Sequence, residues 1–302
     1  MFEFRKIRLS DRQAVNERLA VSDLRNCEYS FANNLAWQRL SDTEICFYGD
    51  FYLSCCKDDE NIFLTFPTGV RTDSRGIERY TELFSQFRAF CENQGRGLVI
   101  TSVTDRDLGW IKEYYGDKVS YELDRDFCDY IYNSTDLIEL KGRKYHGKRN
   151  HIKRFMENDW SFEEINSSNI DECIRFAANV YNQAENSGRS LVIEQFAINT
   201  FFTYMNELEL KGGLLKANGE TVGVTIGERI NSDTFVVHVE KAREDIHGAY
   251  PTLCSLFAGQ NAGELRYINR EEDMGIEGLR RSKLSYHPEF LLEKYKVNFK
   301  RC

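Results

Sequence analysis

The sequence has no apolar run long enough to cross a bilayer. Its first residues, Met-Phe-Glu-Phe-Arg-Lys, lack the apolar core of a secretion signal. Both absences predict a soluble, cytoplasmic chain with no integral membrane segment. The nine cysteines are odd in number and scattered. They include the adjacent pair Cys55-Cys56 but no C-x-x-C, and the five histidines do not accompany them at zinc spacing. No metal is expected, and buried reduced thiols are the default. There is no G-x-x-x-x-G-K-S/T phosphate loop. Gly95-Arg96-Gly97 is followed by Ile100 where a dinucleotide fingerprint needs its third glycine. Neither G-x-S-x-G nor H-E-x-x-H occurs. These gaps argue against the common nucleotidases, dehydrogenases, serine hydrolases and zinc proteases.

What is present is enough for two domains: 302 residues, 41% hydrophobic and 13% aromatic. The net charge is −8, so the stretch Lys141-Gly-Arg-Lys-Tyr-His-Gly-Lys-Arg-Asn-His-Ile-Lys-Arg-Phe155, which contains no acid, is a local field that attracts anions. Tyr145, Ile152, Phe155 and Met156 fall near helical spacing, so one side can pack while the other stays charged. The alternatives are a solvated connecting helix and a basic wall facing an anionic substrate in a groove between the halves.

Along the chain, Ile45 to Cys56 reads as a hairpin around Gly49-Asp50, and Asn61 to Phe66 as a strand closed by Pro67 and Gly69. Ile77, Tyr80, Leu83, Phe84, Phe87 and Cys91 recur at three and four residues, and Gly95 ends that helix. Leu98 to Val103 is a short buried strand, Asp105 to Tyr115 a helix, and Val119 to Asn133 one or two strands. The order then restarts. A strand covers Ser161 to Ile165, and a helix runs through Ile170, Cys173, Ile174, Ala177, Val180 and Tyr181. A second helix follows from about Ile193. A hairpin turns at Asn218-Gly219, Thr234 to Val239 is a strand, and Gly248 to Gly263 is helical with Pro251 in its first turn. Leu265 to Asn269 is a strand, a helix from about Ile276 stops before Pro288, and Tyr295 to Phe299 is the last strand. Hairpins mixed with helices predict an α+β (α/β) fold with mostly antiparallel sheets rather than a doubly wound one.

The basic stretch and a second one, Ile268-Asn-Arg-Glu-Glu-Asp-Met-Gly-Ile-Glu-Gly-Leu-Arg-Arg-Ser-Lys-Leu-Ser-Tyr-His-Pro288, together resemble the bacterial proteins grouped with the C-terminal domain of phosphatidylglycerol lysyltransferase. The resemblance spans nearly the whole chain. It implies tandem acyltransferase domains with the GCN5-related N-acetyltransferase (GNAT) fold, each a mixed, mostly antiparallel sheet flanked by helices, as in Fem-type aminoacyltransferases. The expected division is 1–140, a basic connecting helix at 141–160, and 161–302. The lysyltransferase module moves an aminoacyl group from a charged tRNA to a lipid head group.

The resemblance also implies site positions. A CoA phosphate loop would read Q/R-x-x-G-x-G/A before a helix; here it reads Arg243-Glu-Asp-Ile-His-Gly-Ala249, with Asp245 where Gln or Arg is expected. Gly248 and Ala249 remain as candidate phosphate ligands. The acid at the mouth favours aminoacyl-tRNA over acyl-CoA as donor. Glu240 ends the central strand, where this fold keeps its base, or is an exposed carboxylate in a turn. Asp273 is a second candidate acid, or a helix cap. Arg280 and Lys283 share a helix face and are expected to hold an acceptor's phosphate, or to pair with acids such as Glu277. Tyr286 is a candidate proton donor to the leaving oxygen, or packing. Lys148 and Arg149 are the favoured anion ligands of the basic block, which is also suited to the acceptor end of a tRNA. The expectation is an aminoacyl transferase; the alternatives are an acyl-CoA-dependent N-acyltransferase and a non-catalytic anion-binding module. The first half shows no carboxylate–basic constellation and is expected to lack chemistry of its own.

Overall fold

The computed structural model describes residues 2–183 and 189–300. The chain forms two compact units, Met1–Cys128 with Leu292–Cys302, and Asp129–Leu291. The first unit runs α1 (Arg12–Ser22), α2 (Phe31–Trp37), β1 (Glu44–Tyr48), β2 (Phe51–Lys57), β3 (Asn61–Thr65), α3 (Ser74–Glu92), β4 (Gly97–Val103), α4 (Asp105–Tyr115) and β5 (Val119–Leu123). The second runs β6 (Asp129–Asn133), α5 (Ser134–Glu139), α6 (His146–Phe155), β7 (Trp160–Glu164), α7 (Ile170–Gln183), α8 (Arg189–Thr203), β8 (Lys211–Ala217), β9 (Glu220–Arg229), β10 (Thr234–Ala242), α9 (Ala249–Asn261), β11 (Tyr267–Asn269), α10 (Glu277–Leu284) and β12 (Phe290–Leu292). The chain then rejoins the first sheet as β13 (Tyr295–Phe299). The side chain of Tyr181, counted in the α7 pattern, lies outside the described residues.

The first sheet has the order β1-β2-β3-β4-β13-β5, and every pair in it except β3–β4 is antiparallel. The expected apolar stripe of α3 covers it: Tyr80, Leu83, Phe84, Phe87 and Cys91 are buried among Leu53, Leu64, Ile100 and Val297. Asp73 caps α3, its carboxylate accepting from the Gly76 amide at 2.9 Å. The second sheet has the order β12-β6-β11-β10-β9-β8-β7, with β10 and β11 parallel. Leu253 and Phe257 of α9 bury themselves against it.

These units differ from the expected division at 140, 160 and 302. Tyr130, Ile131 and Tyr132 of β6 are fully buried, and β6 pairs with β11, so residues 129–140 belong to the second sheet. β13 is an interior strand of the first sheet, paired on both sides, with Val297 and Phe299 in its core. The basic segment expected to connect two halves is α6, inside the second unit. Val119–Asn133 is two strands, and they belong to different sheets.

The seat of α6 depends on one glycine. Gly248 has φ +85° and its Cα faces the His151 carbonyl, so an added Cβ would lie 2.1 Å from that oxygen. Phe155 of α6 packs beside it with Leu215, Val222 and Leu253. We expect Gly248→Ala to lower stability by at least about 2 kcal/mol, left-handed strain plus a backbone clash. Gly219→Ala, at a turn with φ +80° and open space, should cost about 1 kcal/mol. Urea midpoints of the two variants check this; equal losses would contradict it.

Candidate active site

The parallel pairing of β10 and β11 lasts only three residues, Thr234↔Tyr267 to Val236↔Asn269. Beyond it β10 bulges at Val237/Val239, and Glu271, with φ +57°, turns the segment that follows β11. The two strands cease to be neighbours in the ladder, and side chains span the gap. Arg270, the first residue past β11, donates from Nη2 to Glu240 Oε1 of β10 at 2.6 Å, with both side chains about nine-tenths buried. Burial works against the Arg270 charge, but Glu240, together with the Cys254, Tyr132 and Tyr286 groups around it, more than offsets that and raises its pKa. The Arg270 guanidinium also lies 4.6 Å from the Tyr286 ring centre and 5.7 Å from that of Tyr132. Its Nη1 is buried and makes no hydrogen bond among the described residues.

Lys148 of α6 joins this group. Its Nζ stands 3.7 Å from the Tyr286 ring centre and donates to Ser285 Oγ at 2.8 Å. Burial first, then repulsion by Arg270, pushes its ammonium down to about 8. The face of Tyr286 favours the charged form and opposes that shift. Cys254 of α9 lies beside Glu240, and burial pushes its thiol up to about 12. It stays a neutral thiol, not a nucleophile. The centre therefore holds two cations, Arg270 and Lys148, with one carboxylate, Glu240, against aromatic walls.

The model of the family described as "Phosphatidylglycerol lysyltransferase, C-terminal" matches residues 19–298. The chain belongs to this family. A crystal structure of a conserved protein of unknown function from Bacteroides thetaiotaomicron is 34% identical, with TM-score 0.88, covering 99% of this chain and 100% of that one. L-PGS from Bacillus licheniformis is 14% identical with TM-score 0.63, covering 98% and 93%. FemX, at 8% identity, TM-score 0.59 and 97% and 96% coverage, and a tandem GNAT protein from the clavulanic acid pathway, at 10%, 0.50 and 100% of each, share the fold. An uncharacterised Mycoplasmoides gallisepticum protein is 23% identical over 207 residues, 67% of this chain; the match spans 65% of that relative's length. The fold is thus tandem GNAT-like, as expected. Among the described residues no helix is long and apolar enough to cross a membrane.

Within this lysyltransferase-family fold the other expected residues divide. Glu240 lies within β10 as the partner of Arg270, not exposed in a turn. Asp273 is fully buried; Arg280 Nε and Nη2 donate to it at 2.8 and 2.7 Å, the Tyr130 hydroxyl at 2.5 Å and the Gly275 amide at 2.9 Å. Burial works to raise its pKa, but Arg280, Tyr130 and the amide hold it well below the carboxylate range. A carboxylate so saturated is a poor proton acceptor. Arg280 and Lys283, expected on one face, go separate ways. Arg280 serves Asp273, while Lys283 is buried and donates to the carbonyls of Arg270 and, at 3.3 Å, Glu271. Lys283 thus fastens the turn that carries Arg270. Arg149 donates to the carbonyls of Leu140 and Gly142, the latter at 2.7 Å; it closes the end of α5 rather than joining Lys148. Tyr286 is buried and supplies the ring face under both cations.

The loop before α9 is largely committed. The Ala249 amide donates to the Ile246 carbonyl at 3.1 Å, Pro251 has no N–H, and Gly248 abuts His151. Asp245, the acid at its mouth, is held by Arg243 at 2.6 Å. Arg270 is the residue that reading the sequence passed over. The only signal was its place directly after the buried Tyr267-Ile268-Asn269 run, inside the second family stretch.

Two outcomes follow from this geometry. Asp273→Asn should lower stability by about 3 kcal/mol, because it breaks a buried ion pair; a urea midpoint equal to wild type would contradict the network. The Lys148 amine should acetylate with a midpoint at or above about 8 and clearly below the ordinary 10.5. A pH series with acetic anhydride, read by peptide mass spectrometry, checks it; a midpoint at 10.5 would mean that the burial described does not hold.

Proposed function

We propose that this chain transfers an aminoacyl group from an aminoacyl-tRNA to an acceptor yet to be identified. The observation that carries the reading is the pairing of two cations with one carboxylate where β10 and β11 part, with Arg270 Nη1 making no hydrogen bond among the described residues. Such a centre suits an oxygen that gains negative charge. In the proposed reaction the acceptor's amine or hydroxyl attacks the ester carbonyl carbon. A new C–N or C–O bond forms, the ester C–O bond to the terminal ribose breaks, and the ribose oxygen leaves as a hydroxyl. Arg270 donates to the tetrahedral oxyanion, held on station by Glu240. Lys148 rests mainly as a cation, but its lowered pKa leaves part of the population as free amine, and in that form it takes the proton from the attacking group and returns it to the leaving oxygen. Glu240, the carboxylate at the position where this fold keeps its base, serves Arg270 instead.

Two further observations favour tRNA over CoA as donor. The loop before α9 offers a pyrophosphate few uncommitted amides. On α6 and just before it, Arg143, Lys153 and Arg154 are exposed, a local basic surface on an acidic chain, suited to RNA phosphates in a salt-sensitive way.

The test incubates purified protein with charged tRNAs and a cell extract. Arg270→Gln should slow transfer roughly a hundredfold, the usual cost of losing an oxyanion donor, and Lys148→Ala should slow it at least tenfold. Arg281→Gln, which breaks only an exposed pair with Glu277, should match wild type. Equal transfer by all three variants, or none by any protein, would overturn the reading in favour of an anion-binding module.

A further inference from the structure

His238 stands at the β10 bulge, with its side chain fully buried. Its Nδ1 is 2.8 Å from Glu271 Oε1, on the turn after β11, and its Nε2 is 3.1 Å from Glu228 Oε1, on β9. The ring lies flat on Phe201 of α8, with centroids 5.0 Å apart and planes 8° apart. Carboxylates accept hydrogen bonds; a ring nitrogen that faces one must carry a proton to bond it. With both nitrogens so placed, the ring is an imidazolium joining three parts of the second unit. Burial alone would lower its pKa, but Glu228 and Glu271 raise it to about 9.

Glu271 is not an ordinary partner. It holds a left-handed conformation, φ +57°, which costs a non-glycine residue about 1 kcal/mol or more. Its carbonyl accepts from the Tyr130 amide at 3.2 Å and from Lys283 Nζ, and its amide donates to Asn269 Oδ1 at 2.7 Å. Arg270, whose guanidinium meets Glu240, Tyr286 and Tyr132, is the residue immediately before it. A change in the Glu271 turn therefore changes the aim of Arg270.

We propose that His238 is a positioning residue for the reacting centre: clamped between Glu228 and Glu271, it holds the turn that points the Arg270 guanidinium at Glu240 and the Tyr286 ring that it shares with Lys148. Its consequence for acyl transfer rests on the function proposed above, but the geometric claim does not. The groups facing the ring are Glu228 from β9, Glu271 from the turn and Phe201 from α8; Lys283 of α10 reaches the same turn through its carbonyls. The clamp's stabilisation is complete below the ordinary histidine pKa of 6.5 and is lost as pH rises through about 9.

Lys148 reports on Arg270 without any donor or acceptor, because Arg270 is one of the groups that depress its pKa. The experiment measures the pH midpoint of Lys148 acetylation in wild type, in His238→Gln and in Glu271→Gln, which retains an acceptor oxygen. In each folded variant the midpoint should rise by about one unit, roughly a tenfold drop in free amine at neutral pH, with the larger rise in His238→Gln. A 15N spectrum of the wild-type ring should show both nitrogens protonated at pH 7.5 and titration near 9. Folded variants with an unchanged Lys148 midpoint, or a wild-type ring titrating at or below 6.5, would overturn the proposal. If His238→Gln fails to fold, Glu271→Gln and the wild-type ring decide it. Failure of tRNA deacylation with a shifted Lys148 midpoint would instead reject the function and leave the clamp standing.

Discussion

The ion pair between Arg270 and Glu240 spans the place where two parallel strands part company. A sheet ladder satisfies its own backbone; where it splits, the gap must be filled by side chains. Here one arginine does so, bonding a carboxylate on the bulged strand and lying against two tyrosine rings. A buried guanidinium is costly unless paired, and pairing one of its three nitrogens still leaves donor capacity. That residual capacity, next to a lysine whose partners are a serine hydroxyl and an aromatic face, gives the second unit its chemical character.

Much of the surrounding polar network serves to hold that arginine still. Lys283 ties the turn by its carbonyls, and His238 ties it by the Glu271 carboxylate. Asp273 anchors Arg280 and Tyr130 nearby. Several residues that look like substrate ligands in sequence are therefore spent on geometry. Preorganisation of this kind places a dipole before charge develops, and so avoids reorganisation during reaction.

The fold was legible where signals were local. The α3 stripe from Tyr80 to Cys91 and the Asn218-Gly219 turn were each readable from a dozen residues. Partner choice was not: Tyr295–Phe299 reads as a strand, but nothing in those five residues says that it inserts between β4 and β5. Nor does the pattern of Asp129–Asn133 assign it to a different sheet from Val119–Leu123. Long-range pairing depends on the whole core rather than on local propensity. Within the site, Lys148 and Arg149 are adjacent and equally basic in sequence. One residue of helix turns the side chain by about 100°, which sends Lys148 to Tyr286 and Arg149 to the end of α5. The two family stretches do meet, with Lys148 bonding Ser285 and the Tyr145 hydroxyl bonding the Tyr286 carbonyl at 2.9 Å.

The central claim is that Arg270 receives the reacting carbonyl oxygen beside the Lys148 amine. It is tested most directly by a crystal structure with a stable amide analogue of the aminoacylated 3′-terminal adenosine. The account predicts the amide carbonyl oxygen about 2.9 Å from Arg270 Nη1, on the same side as Lys148. An analogue seated instead against the Gly248 end of α9, with Arg270 untouched, would contradict it.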